Sequence, residues 1–274
     1  MTHARTALLY LGLALVASVT AVPFLWIVLT SLKGAEDVFA FPPTLWPDVF
    51  QWSNYAETWN AVRPSFGRYL LNSVIVSVMA VGLNVLLASL AAYPLARMEF
   101  KGKKVAFLAI VATMMVPEQV IMIPLYTLVL KLGLVNTLAG VVIPFAVNAF
   151  GIFLMRQFYL GIPKELEDAA VVDGCTPLGV WWYVLVPLSR PAIATLAVFT
   201  FVGAWSNFLW PLVVLQDREV YTLPVALASL TGAFSANFRY VAAGAVIAVL
   251  PVLMVYLVAQ RAFIRGLMAG GVKG

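Results

Sequence analysis

Six stretches of this chain stay apolar long enough to cross a lipid bilayer, and nothing else in the sequence restricts the fold as much. They cover about residues 7–29, 70–93, 105–128, 138–155, 191–214 and 240–260. A hydrocarbon core about 30 Å thick is crossed by roughly 20 mainly apolar residues in a helix. The chain therefore reads as an all-α integral membrane protein, one domain over 1–274 with six transmembrane helices. Composition agrees, because only 11% of residues are charged against about 25% in soluble domains. Such a surface has too little charge to hold water around it, so lipid must cover much of it. The first stretch has a small-residue site at Val19-Thr20-Ala21 that resembles signal-peptide cleavage. Apolar sequence runs on through Pro23 to Leu29, longer than a signal core, and this favours a retained span.

The net charge of +5 comes without a basic run of the kind that recruits phosphate, so nucleic acid is not expected as a partner. Placement of the basic residues is more informative. With the N-terminus inside, eleven Lys and Arg fall on the inner side, four of them at Arg97, Lys101, Lys103 and Lys104, and six fall outside. The positive-inside rule then puts both termini in the cytoplasm. Cys175 and His3 are the lone cysteine and histidine. A histidine metal site, or a Ser-His or Cys-His pair, would need a second chain, so no catalytic residue and no metal site are expected. The outer segment 31–69 is rich in Pro and Trp and reads as lying along the membrane interface, where aromatic rings settle.

The inner segment 156–190 is the most patterned. Pro163 is placed as a first helical residue, and Glu165, Glu167 and Asp168 follow where acidic groups complement the helix dipole. Gly174 suits a left-handed end to that helix. Thr176-Pro177 restarts one as N-cap and first residue, and the second helix exposes Trp181 and Trp182 before stopping at Pro187. Two short helices meeting at a sharp turn, with the small Ala169, Ala170 and Gly174 on show, suit close approach by another surface. A helix that merely links two spans would carry the same local pattern.

Asp168-Ala169-Ala170, Gly174 four residues after Ala170, and Val184-Leu185-Val186-Pro187 after nine more resemble the cytoplasmic signature of binding-protein-dependent ABC importer permeases: Glu-Ala-Ala, three residues, Gly, nine residues, Ile-x-Leu-Pro. Asp replaces Glu, and Val replaces Ile and Leu; Glu167 beside the motif is a second bearer of the acidic role. Further matches run along the chain: Ser31-Leu32-Lys33, Phe41-Pro42-Pro43, Ile123-Pro124-Leu125-Tyr126, Trp205-x-Asn207, Trp210-Pro211-Leu212, Tyr221-Thr222-Leu223-Pro224 and the tail from Gly266 to Gly274. Together they resemble the carbohydrate branch, of the maltose-type second permease. The resemblance implies a type I ABC importer permease architecture in a bacterial inner membrane, with 156–190 as a coupling helix seated on a separate ATPase. Glu167, Asp168, Ala169, Ala170, Gly174 and Pro187 are the coupling residues it points to, and the tail is expected at the same interface. It also implies a second homologous permease, two ATPase subunits, an extracytoplasmic substrate-binding protein and a sugar as cargo. The chain lacks a Gly-x-x-x-x-Gly-Lys-Ser/Thr cradle, so it is expected to bind no cofactor of its own and to hydrolyse no ATP, leaving ATP and Mg to the partner subunits.

Within the spans, Glu118 reads as a mid-span acid after Pro117, and an ionisable group there costs at least about 2.5 kcal/mol to insert. It is a candidate for the substrate path, for pairing with the second permease, or for a structural place at a kinked helix. Trp205, Asn207 and Trp210 are the other path candidates: aromatic planes suit the C–H faces of sugars and an amide suits their hydroxyls, although aromatics at this spacing also pack against neighbouring helices. Ala88, Ala91 and Ala92 form a small-residue face suited to close helix packing. The competing function is a secondary transporter for a small polar solute driven by an ion gradient. Such folds usually show internal repeats, and the sequence shows no convincing one.

Overall fold

A computed structural model describes residues 3–60, 64–233 and 238–271. Among them every regular element is helical. In chain order these are α1 (His3–Ser31), α2 (Ser53–Asn60), α3 (Phe66–Arg97), α4 (Lys103–Thr113), α5 (Glu118–Lys131), α6 (Leu138–Val142), α7 (Ala149–Leu160), α8 (Glu165–Val172), α9 (Pro177–Val180), α10 (Val186–Leu188), α11 (Arg190–Ser206), α12 (Leu209–Val214), α13 (Leu223–Ala233) and α14 (Phe238–Gly271). Three helices, α1, α3 and α14, are long and apolar enough to span a bilayer alone. Three bent pairs bring the total to six where each pair is one span: α4 with α5 at 100°, Leu138–Phe145 with α7 at 46°, and Pro177–Leu188 with α11 at 80°.

Breaks fall inside the spans expected at 105–128, 138–155 and 191–214. Pro117 has no N–H to donate and drives the residue before it out of the helical region, so α4 ends and α5 starts afresh. Glu118 is accordingly the first residue of α5, about midway along the bent pair. At Asn207 the backbone is extended (ψ 120°), and its Oδ1 accepts from the Trp210 N–H at 3.4 Å. A short polar side chain here competes with the helical ladder and divides the expected span into α11 and α12. Asn148 does the same before α7, its Oδ1 accepting from Gly151 N at 2.7 Å.

The chain divides into two compact units. One holds residues 1–68 and 225–251. In it, Asn54 is fully buried and donates through Nδ2 to the carbonyls of Ser31 and Lys33, each at 2.9 Å, which pins α2 to the end of α1. Lys33 is also buried; its Nζ donates to Thr44 O and lies 4.7 Å from the centre of the Trp26 ring. Tyr240 donates its hydroxyl proton to Glu57, and this bond holds the Glu57 carboxyl below the usual range. Phe41, Trp46 and Trp52 are exposed.

The other unit holds 69–224 and 252–274. Its larger core joins α3, α7, α11 and the 181–185 turn around Ala88, Ala92, Met155, Tyr159, Leu185 and Leu196. Ala88 matters because an added Cβ on Gly151 would sit 3.0 Å from its own Cβ, so α3 and α7 approach closely only with small residues at both places. A second core surrounds Trp210, Val129, Val141 and Val214. The tail that the resemblance brings to an ATPase lies largely outside the description: side chains beyond residue 260 and residues 272–274 are not part of it.

Candidate functional site: an interrupted-helix cavity and a capped loop

Three of the helix interruptions meet. Two adjoining cavities, of about 380 and 410 Å³, share Glu118 at the start of α5 and Gly203 and Asn207 at the end of α11. Asn148, at the break before α7, lines the larger one. Interrupted helices leave backbone groups without partners, which lipid cannot supply and a water-filled cavity can. Around these breaks stand Gln119 and Ser206 in one cavity and Thr200, Phe145, Phe150 and Phe199 in the other. One carboxylate, three amides, two hydroxyls and several phenyl rings give acceptors and donors for hydroxyl groups together with apolar planes for C–H faces.

Behind the wall, the fully buried Asn84 donates through Nδ2 to Thr200 Oγ1 at 2.8 Å and accepts from the Asn148 N–H at 3.3 Å. It thus ties α3 to α11 and to the α7 break. Sequence reading singled out neither Asn84 nor Asn148. The available signal was an amide inside an apolar run, followed in the case of Asn148 by a small residue three places on. Of the four path candidates the structure brings Glu118 and Asn207 together. Trp205 is buried and stacks on Phe201 with ring centres 5.6 Å apart. Trp210 is fully buried, donates from Nε1 to Gly140 O at 3.2 Å and meets Phe145 edge-on. Neither tryptophan lines either cavity.

The segment between α7 and α11 forms the second part of the site. Gly174 adopts φ +87°, and the bonds Cys175 N to Ala170 O (2.9 Å) and Gly174 N to Val171 O (3.0 Å) close α8 with a Schellman turn. Thr176 caps α9 by accepting from Gly179 N at 3.2 Å, with Pro177 following as the first helical residue. Three details differ from expectation. The helix starts at Glu165, two residues after Pro163, because the Lys164 carbonyl accepts the first bonds, from Glu167 N and Asp168 N. Pro187 does not stop the second helix, which continues through a π turn at Trp181–Leu185 to Leu188 and ends at Ser189. Trp181 is buried, at 7% exposure, because the wider π turn rotates it into the core beside Leu185, while Trp182 stays 53% exposed.

Asp168, Ala169, Gly174 and Pro187 face outward, Ala170 is half-buried, and Leu166, Val171, Val172 and Leu178 add an exposed apolar surface. An added Cβ at Gly174 would meet nothing within 4 Å. Glu167 behaves differently from its neighbours. It turns inward to Arg97 at the end of α3, with Nε 2.5 Å from Oε1. The approach is off the line of a hydrogen bond, so charge holds the contact. Burial pushes the Glu167 carboxyl above the usual range, and Arg97 opposes that shift. Among the described residues no three His, Cys, Asp or Glu side chains gather as metal ligands would.

Residues 84–268, and so the interrupted spans and the capped loop, match the family described as "Binding-protein-dependent transport system inner membrane component". The chain is 37% identical to the arabinooligosaccharides transport system permease protein AraQ of Halalkalibacterium halodurans, over 97% of this chain and 96% of that one. It is 36% identical to the melibiose/raffinose/stachyose import permease protein MelC of Bacillus subtilis, over 95% and 94%. Among solved structures, it superposes with a TM-score of 0.82 and 25% identity on a chain of a bacterial ABC transporter involved in import of the acidic polysaccharide alginate, over 96% of this chain and 99% of that one. The chain therefore belongs to the family of inner membrane components of binding-protein-dependent transport systems.

Proposed function

We propose that this chain is a permease subunit of an ATP-driven importer for a sugar or related polyol. It would form half of a translocation path and couple that path to a separate ATPase. The observation that carries the reading is the outward-facing Schellman turn between α8 and α9 at Gly174, within the matched segment. It presents a rigid, small-residue surface suited to receive force from another protein. AraQ and MelC are both named for oligosaccharide cargo, and the cavity offers hydroxyl-binding amides beside phenyl rings. Glu118 and Asn207 are the path residues this reading favours. Asp168, Ala169, Ala170, Gly174 and Pro187 are the docking residues.

The assembly that follows pairs this chain with a second homologous permease, two ATPase subunits holding ATP and Mg, and an external binding protein. Both termini lie in the cytoplasm in this reading. A nucleotide-driven change in the ATPase pair moves the docked loop, and the helix breaks around Glu118, Asn148 and Asn207 allow the cavity to face one side or the other. Proteoliposomes holding the whole complex test the proposal. ATP hydrolysis rises when loaded binding protein is added, and uptake continues with ionophores present. Uptake that needs an ion gradient and ignores ATP would establish the secondary-transport reading instead. Orientation is checked in a Cys175→Ser background: Lys164→Cys resists an impermeant thiol reagent added outside, and Trp52→Cys reacts. Asn54 is a poor outer probe because it is fully buried.

A further inference from the structure

Glu167 sits inside the loop whose other acidic residues face outward, yet its carboxylate is turned into this chain, with side-chain exposures of 11% for Arg97 and 9% for Glu167. Arg97 is the last residue of α3, and its Nη2 also donates to Ile162 O at 2.5 Å. One guanidinium therefore grips both the approach to α8 and α8 itself. Beside it Arg156 donates from Nε to Leu95 O at 3.0 Å and lies over the Phe107 ring at 3.9 Å, fixing the end of α3 against α7 and α4.

What lies farther along α3 gives this contact its significance. Val76 and Ala80 of α3 line the larger cavity, and Asn84 supports its wall. The other helices lining that cavity belong to bent pairs, whereas α3 is one span from Phe66 to Arg97. At 1.5 Å per residue, Arg97 and Ala80 are about 25 Å apart on one continuous helix, with Pro94 between them.

We infer that Arg97 and Glu167 are positioning residues that transmit movement of the capped loop to α3, and through α3 to the cavity wall. Glu167 is on this view an internal strut and not part of the surface that meets the ATPase. The inference rests on the coupling role proposed for the loop. A pair that merely anchored the loop would be replaceable by any group that keeps the loop folded. A strut needs the directed attraction between these two side chains.

The experiment uses the complete complex in proteoliposomes, in a Cys175→Ser background carrying Ala80→Cys. The rate at which an impermeant thiol reagent modifies residue 80 is measured with and without ATP and Mg. ATP changes that rate in the parent. With Glu167→Gln, an isostere that keeps the loop packed, the ATPase subunits remain bound and hydrolyse ATP. The ATP-dependent change at residue 80 shrinks at least about fivefold, the low end for coupling between sites. Arg97→Met combined with Glu167→Gln is no worse than Arg97→Met alone, because Glu167→Gln removes only an interaction that the loss of Arg97 has already removed. The exchange Arg97→Glu with Glu167→Arg restores part of the response. A full response in Glu167→Gln, or losses that multiply in the double variant, would overturn the strut. Should Arg97→Met fail to assemble, assembly becomes the readout, and an exchange variant that does not recover it also overturns the pair. Gly174→Leu is run alongside. A normal ATP response there removes the coupling role of the loop and the strut with it, whereas a lost response beside a normal Glu167→Gln removes the strut alone.

Discussion

Gly174 allows backbone strain to be separated from contact with a partner, because the structure makes the two effects independent. Its φ of +87° lies in the left-handed region, which costs a residue with a Cβ about 1–2 kcal/mol. Alanine and leucine share that cost, and asparagine, which tolerates this region, pays less. Within this chain a Cβ at the exposed position 174 meets nothing within 4 Å, so alanine meets no clash beyond that cost. The strain falls on the two bonds that close α8, from Gly174 N and Cys175 N. Hydrogen exchange at Cys175 should therefore quicken about 5- to 30-fold in both Gly174→Ala and Gly174→Leu, the factor that 1–2 kcal/mol represents. Exchange in the membrane helices should not change. ATPase stimulation by loaded binding protein reads the second effect. Gly174→Asn stays close to the parent and Gly174→Ala falls modestly. Gly174→Leu falls at least about tenfold beyond alanine, the equivalent of 1.4 kcal/mol of lost docking. Leucine matching alanine in stimulation would refute the argument, because only backbone strain would then be at work.

Two further outcomes follow from the cavity. Glu118→Gln keeps the shape of an exposed side chain and removes the one charge that both cavities share; uptake by proteoliposomes should continue with KM raised about fivefold, since a hydrogen bond to a charged group is stronger than one to an amide by about 1 kcal/mol, and complete loss of uptake would point to proton coupling instead. Asn84→Ala removes the bonds to Thr200 Oγ1 and from Asn148 N; at about 0.6 to 1.7 kcal/mol for each interhelical bond, denaturant unfolding in detergent should show a loss of about 1–3 kcal/mol, and an unchanged midpoint would remove Asn84 as a brace of the wall.

The features legible in the sequence are those that neighbouring residues decide. The turn at Gly174 and the cap at Thr176 were readable because a glycine that must go left-handed and a threonine before proline act over four or five residues. The number of apolar stretches was readable because bilayer thickness sets their length. Glu167 was not readable, because its inward turn depends on Arg97, 70 positions earlier in the chain. The burial of Trp181 depends on a π turn, which adds a residue to the ladder and moves the ring from one face to another. No local pattern marks that shift, since aromatic and β-branched residues fill the turn and its surroundings alike.

The interruptions fall between these cases, and their position bears directly on function. In the sequence Pro117 reads as a kink, Asn207 as a path candidate and Asn148 passes unmarked, and no one of them alone announces a break. A break in a span leaves N–H and C=O groups that need partners, and lipid offers none. Asn148 and Asn207 satisfy part of that need with their own side chains, but each also lines the cavity system. Three such breaks in one unit are tolerable if they face the same polar space, where water or a hydroxylated cargo can complete them. Scattered toward lipid, they would each cost several kcal/mol. Convergence is thus what the physics demands of a membrane protein that keeps three breaks, and the cavity at Glu118 and Asn207, where the sequence's polar exceptions meet, is for that reason the place we propose for the path.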